Sequence, residues 1–283
     1  MSQITIEPVT SETLHEFAQF LHHHLSNGRS PERWASELGT SWNEERPNYG
    51  FVLKDTGEIV GGIGAFYKTR TVHGKVEKFC NITSWCVLDK YRQHSMRLAL
   101  SIINQPGYHF SDFTPTQVVS ATLRFFKFEP LDERVAVILN LPWHPFDRHK
   151  VLYRTEDIEQ MLTGEALQIY KDHVTFPWLE HLLVGEKDRY CHIIYKKTQF
   201  KGLPAVMIYY LSDAELFEKY FKFVASYFIK NGYISTHIEL RFLKQVPWPA
   251  KISSGFNAKL YLSKTLSPQD IDYLYSELVA LDL

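Results

Sequence analysis

A chain of 283 residues, 45% hydrophobic and 22% charged, has the composition of an ordinary soluble globular protein, with room for one large domain or two modest ones. Its 31 lysines and arginines against 32 acids leave no net field to draw nucleic acid or an anionic membrane, so partners must be recognised locally. Apolar runs far shorter than the roughly 20 residues that cross a bilayer, no basic-then-apolar leader, and three cysteines without a Cys-x-x-Cys pair predict a cytoplasmic protein with reduced thiols.

Leu14, Phe17, Ala18, Leu21 and Leu25 recur at helical spacing until Gly28, which predicts an amphipathic helix. Ser30 then reads as an N-cap with Pro31 in the first turn of a second helix, carrying Trp34 and Leu38 to Gly39. Two apolar runs, Tyr49 to Lys54 and Ile59 to Tyr67, flank Asp55-Thr56-Gly57-Glu58 as a hairpin would, and His73-Gly74 turns the chain into a third strand, Lys78 to Leu88. The period then becomes helical from Met96 to Ile103. A strand at Tyr108 to Phe113, a helix at Gln117 to Phe126 and a strand at Val135 to Leu139 complete an α+β unit.

Pro142, Pro145 and the polar stretch to Arg154 predict a linker. Beyond it come a helix at Ile158 to Tyr170, strands at His181 to Val184, His192 to Tyr195 and Leu203 to Leu211, and a helix whose face is Leu216, Phe217, Tyr220, Phe221, Val224 and Phe228. Strands at Ile234 to Leu243 and Ala258 to Leu262 and a helix from Ser267 to Ala280 end the series. The strand, strand, helix, strand order repeats that of the first half, which predicts a diverged internal duplication.

Trp85-Cys86-Val87-Leu88-Asp89-Lys90-Tyr91-Arg92-Gln93-His94-Ser95-Met96-Arg97-Leu98 carries a strand straight into a helix, whose first-turn N-H groups and dipole suit a pyrophosphate. The stretch resembles the signature of the GNAT (GCN5-related N-acetyltransferase) family, in which Val-x-Pro-x-Tyr-Arg leads into Arg-x-x-Gly-x-Gly: Val87, Tyr91 and Arg92 keep the register, and Arg92 to Arg97 span the second motif. Gln117 to Phe128 is similar to that family's last conserved stretch, with Lys127-Phe128 in place of Gly-Phe. The sequence departs from the pattern at Ser95 and Arg97, where the family has glycine, at Leu123, where it often has a tyrosine acid, and at Thr116, where asparagine is frequent.

The resemblance implies a mixed, mainly antiparallel sheet flanked by helices, in two tandem GNAT-like units: residues 1–140 binding acyl-CoA, a linker at 141–155, and a diverged unit at 156–283 shaping the acceptor site. It implies an N-acyltransferase that moves an acetyl or longer acyl group from acyl-CoA to a primary amine of a small molecule or amino sugar. Trp85 and Val87 would then hold the pantetheine and thioester through the main chain, and Gln93 to Leu98, with Arg92, the pyrophosphate: Arg92, Gln93, His94, Ser95, Met96, Arg97 and Leu98. A base is needed to deprotonate the amine, and the candidates are Glu77, Asp112 and His109. Asp112 reads equally as a strand-end residue bonded to the turn Thr114-Pro115-Thr116.

Other readings stay open. A catalytically silent relative would bind acyl-CoA or a protein partner, and a tandem-GNAT aminoacyl transferase of the peptidoglycan type would use charged tRNA, against which the near-zero charge counts. Cys86, on the face of Ser84, Ile82 and Cys80 by the two-residue period, is either an acyl acceptor or a small apolar core residue. His22-His23-His24 point about 100° apart on a helix and do not converge on a metal. Trp143, His144, Phe146, Phe176, Trp178 and Trp248 either line a substrate cleft or cement the domains. The acids of Leu211-Ser212-Asp213-Ala214-Glu215 would repel a pyrophosphate at the second half's helix, so one active site is expected.

Overall fold

The computed structural model describes residues 4–42, 46–145, 147, 149–187 and 189–283. In chain order these form β1 (Ile4–Pro8), α1 (Leu14–His24), α2 (Pro31–Leu38), β2 (Gly50–Asp55), β3 (Glu58–Val72), β4 (Lys75–Val87), a 3₁₀ turn (Asp89–His94), α3 (Ser95–Ile103), β5 (Tyr108–Asp112), α4 (Gln117–Phe125), β6 (Glu129–Pro130) and β7 (Val135–Leu139). There follow β8 (Val151–Leu152), α5 (Thr155–Met161), α6 (Gly164–His173), β9 (Leu179–Glu186), β10 (Arg189–Phe200), β11 (Leu203–Leu211), α7 (Ala214–Lys230), β12 (Ser235–Glu239), β13 (Ala250–Ser253), β14 (Leu260–Leu262) and α8 (Glu277–Ala280). No helix among the described residues is long and apolar enough to cross a membrane.

Two compact units result: Met1–Leu131 with Ala258–Ile271 and Tyr275–Leu283, and Asp132–Asn257 with Asp272–Leu274. Each holds a seven-stranded sheet, in the orders β1-β2-β3-β4-β5-β14-β6 and β13-β7-β12-β11-β10-β9-β8. The expected boundary near residue 140 is thus crossed twice. β7 does not close the first sheet; it lies between β12 and β13 in the second. Its expected slot is filled by β14, where Leu260 pairs with both Asp112 and Pro130. An apolar strand carries no mark of its partner, and sequence order named the wrong one.

In the first unit the strands are antiparallel except for β4 and β5, joined by the α3 crossover. Ile63, Ala65 and Tyr67 of β3 face Leu98 and Ile102 of α3 and Leu123 of α4, all buried. The opposite face takes α1 so closely that a Cβ on Gly62 would stand 2.2 Å from the Phe17 ring. The β2–β3 hairpin turns through Thr56 and Gly57, both at positive φ, as a two-residue hairpin loop requires. Ser30 caps α2 and Thr116 caps α4, accepting from Arg33 and Val119 N-H, which stabilises each helix start by about 1 kcal/mol.

α4 ends with Lys127 at φ 70°, while Phe128 N-H reaches back to Leu123 O. A left-handed residue here explains why the GNAT pattern has glycine at this position. Lys127→Gly is expected to stabilise the first unit by about 1 kcal/mol, since the lysine Cβ is strained there; a lowered denaturation midpoint would contradict it.

In the second unit β11 and β12 are parallel over Ala205–Met207 and Ser235–His237, bridged by α7. The aromatic face of α7, Phe217, Tyr220, Phe221 and Phe228, packs on that sheet as core. The helix expected over Ile158 to Tyr170 is broken, with Leu162 extended and Gly164 at φ 54°. The helix expected from Ser267 to Ala280 shrinks to a 3₁₀ turn, Pro268–Asp270, and the four residues of α8. Tyr273 to Leu281 is buried without interruption, which no one-sided helical stripe provides. Strand β1, weakly alternating and at a sheet edge, escaped the sequence reading.

Candidate active site in the first unit

β4 pairs with β5 only from Lys78↔Tyr108 to Asn81↔Ser111, yet stays paired with β3 as far as Val87↔Gly61. From Ile82 to Val87 its edge toward β5 is therefore open. Leu88 N-H is bonded to Val60 O on β3, so by strand alternation Val87 N-H faces the open edge. β5 stops because Asp112 Oδ1 accepts Thr114 N-H at 3.1 Å and the chain turns into α4.

A bulge interrupts β4: between the pairs Gly62↔Cys86 and Gly64↔Thr83, Ser84 and Trp85 oppose Ile63 alone, with Ser84 at φ 51°. The extra residue flips the alternation. Trp85 and Val87 join the Cys80 and Ile82 face against the core, and Cys86 turns away, its thiol against His24 O. The expectation that Cys86 shares the Cys80 face is thereby corrected, and burial raises its thiol pKa, which disfavours the thiolate an acyl acceptor needs.

The open edge borders a cleft of about 610 Å³, whose lining includes Trp85, Val87, Arg92, Ser95 and Met96. Gln93, His94 and Arg97, predicted with them, lie outside that lining. Leu98 is fully buried in the core, because the α3 stripe of Leu98, Ala99 and Ile102 faces the sheet, so its side chain cannot contact a coenzyme. Arg92 is held by Asp89 at 2.7 Å, both side chains largely exposed. The 3₁₀ turn occupies the N-H groups of Tyr91 and Ser95 with Leu88 O and Arg92 O, which a glycine-rich phosphate loop would leave free.

A smaller cavity of about 290 Å³ shares Trp85, Thr116 and Val119 with the cleft and adds Arg29, Trp34 and Asp112. Trp85 Nε1 is buried with no hydrogen-bond partner among the described residues, an unspent donor in the wall common to both. Asp112 is buried beside Glu277, which is wholly buried on α8. Glu277 Oε1 accepts Phe113 N-H at 2.7 Å, its own N-H donates to Asn81 Oδ1, and its Oε2 has no partner among the described residues. Burial first, then the Glu277 charge, pushes the Asp112 carboxyl well above its usual range; burial pushes Glu277 up as well. Two such groups cannot both ionise cheaply, so the pair retains a proton where ordinary carboxyls have lost theirs.

Glu277 was not among the predicted residues. Its signal was an acid set alone in the apolar run from Tyr273 to Leu281. Glu77 and His109, the other predicted bases, are not brought to the cleft: Glu77 stands at the far end of β4 from Val87, roughly 30 Å along the strand, bonded to His109 at 2.9 Å. His22 Nδ1 bonds Arg29 O while His24 lines the cleft, and among the described residues no three His, Cys, Asp or Glu side chains are grouped to hold a metal. Trp143 packs on Trp248 at 5.8 Å, His144 stacks on Phe223, and Phe176 meets Trp178, all within the second unit; Phe146 lies outside the described residues.

No family model matches the sequence, and no curated protein matches it. Among solved structures the chain is similar to a GCN5-related N-acetyltransferase from Anabaena variabilis, with a TM-score of 0.63 at 13% identity over 92% of this chain and 72% of that one. A probable N-acyltransferase of unknown function from Enterococcus faecalis gives 0.60 at 12% identity over 92% and 72%. A GCN5-related N-acetyltransferase from Kribbella flavida gives 0.59 at 11% over 92% and 71%. With its parted β4 and β5, its bulged β4 and the helix that follows, the chain has the fold of the GCN5-related N-acetyltransferases.

Proposed function

We propose that the protein is an N-acyltransferase that binds acetyl-CoA or a longer acyl-CoA in the 610 Å³ cleft and transfers the acyl group to a primary amine on a small molecule. The observation that carries this reading is the open β4 edge, Ile82 to Val87, running into the 3₁₀ turn and α3. An extended pantetheine arm adds to such an edge as a strand would, and Val87 N-H then polarises the thioester oxygen. Arg92 and the Ser95 hydroxyl meet the pyrophosphate, with Arg92 leaving Asp89 to do so.

Asp112 takes a proton from the incoming ammonium, the amine nitrogen bonds to the thioester carbon, and the C-S bond breaks as the nitrogen's second proton passes to the departing sulfur, leaving the amide and CoA thiol. The parallel β11–α7–β12 crossover supports reading the second unit as a diverged repeat of β4–α3–β5.

One observation favours a silent acyl-CoA-binding relative: Leu123, in the place of the family's frequent tyrosine acid, is fully buried in the core and protonates nothing. Isothermal titration with CoA and acetyl-CoA, followed by thiol release with a panel of amines, separates the two readings. Saturable binding that falls at least about 100-fold in Arg92→Glu, Ser95→Glu is the expected result, because two negative charges then face the pyrophosphate. No binding by the intact chain, or unchanged binding by the folded variant, removes the site.

A further inference from the structure

At the opposite ends of β4 and β5 from the cleft, three side chains from distant segments form a hydrogen-bonded chain. His109 Nε2 lies 2.9 Å from Glu77 Oε2, and His109 Nδ1 lies 2.9 Å from Ser263 Oγ. An ionised carboxylate only accepts, so the Nε2 hydrogen belongs to that bond and Nδ1 is left to accept the Ser263 O-H. Serine, imidazole and carboxylate are thus connected in the order that activates a nucleophile, with the imidazole tautomer set by the carboxylate. The His109 ring is buried and packed 5.4 Å from Phe79, which fixes its plane. Ser263 Oγ also accepts N-H from Leu266 at 2.8 Å and Thr265 at 3.2 Å, donors that favour a developing alkoxide.

A buried structural cluster needs no space before it, but this one borders a cavity of about 540 Å³. Ile103, Pro106, Phe110 and Leu262 give that cavity an apolar wall, and Lys264 contributes a cation. Its volume falls within the range of small-molecule sites. We propose that Ser263, His109 and Glu77 are a second reactive centre that cleaves small carboxylic esters, separate from the acyl-CoA cleft.

Ser263 Oγ bonds to the ester carbonyl carbon as its proton passes to His109 Nδ1, and Lys264 meets the oxyanion. The bond from that carbon to the alcohol oxygen breaks, and His109 returns the proton to the leaving alkoxide. Water then adds to the acyl-serine, giving its proton to His109; the carboxylic acid departs and Ser263 recovers its hydrogen. The sum is ester plus water to acid plus alcohol, with no other reactant.

The test treats the full chain with a serine-directed fluorophosphonate, maps the adduct by peptide mass spectrometry, and follows p-nitrophenyl butyrate hydrolysis. The expected result is one adduct, on Ser263, whose formation abolishes hydrolysis, with both rates down at least about 100-fold in His109→Gln and less in Glu77→Gln. Absence of an adduct on Ser263 under conditions that fully label a reference serine esterase overturns the proposal. So does equal labelling of folded His109→Gln. Should that variant not fold, loss or survival of wild-type hydrolysis on labelling decides.

Discussion

Asp112→Asn is expected to lower amine-dependent thiol release by about 10²- to 10⁴-fold, with the dissociation constant for acetyl-CoA nearly unchanged. The carboxyl lies on the small cavity that shares the Trp85 wall with the cleft, where under the proposed function an acceptor amine arrives to meet the thioester. Asparagine keeps an oxygen for Thr114 N-H, so the turn that ends β5 and opens α4 is retained while the basic site is lost. Because burial and Glu277 raise the Asp112 pKa, the wild-type rate climbs with pH until the pair has released its proton, and the variant loses that limb. A purely structural Asp112, bonded to its turn, predicts the opposite: full turnover in Asn with an unaltered pH profile.

What was legible in the sequence was whatever local chemistry determines. Ser30-Pro31 announced its helix because an N-cap needs only its own first turn, and Asp55-Thr56-Gly57 announced its hairpin because the turn type demands φ above zero. The helical runs before Gly28 and after Met96 were read within a few residues of their observed ends. What failed was non-local. The exchange of β7 and β14 between sheets depends on partners more than 95 residues away, as in Val135↔Glu239 and Leu260↔Asp112. The bulge at Ser84 requires a positive φ in a residue that gives no sign of it, and one added residue reversed the faces of Cys86, Trp85 and Val87. Glu277 reaches the site across 164 residues to bond Phe113 N-H, so only the folded chain reveals that the β5 end holds two carboxyls.

Glu277→Gln is the variant in which stability and chemistry move together. Burial pushes the Glu277 pKa from 4.5 up to about 7. The folded state therefore binds a proton that the unfolded chain releases near pH 4.5, and the protein is destabilised as pH rises from there through about 7. Removing that ionisation is expected to leave stability at pH 5 little changed and to raise it at pH 8 by an amount of order 3 kcal/mol. The glutamine oxygen keeps the Phe113 and Thr114 donors, so the bonds that position Glu277 survive. The same change leaves burial in place but removes the charge that adds to it in raising the Asp112 pKa, so the rising limb of the pH-rate profile shifts to lower pH while its plateau remains. Urea denaturation midpoints at pH 5 and pH 8 read the first effect and the acetyl-transfer profile reads the second. If the two proteins have the same midpoint at pH 8, Glu277 does not carry a buried charge; if the midpoint moves and the profile does not, the two carboxyls do not act on one another during turnover.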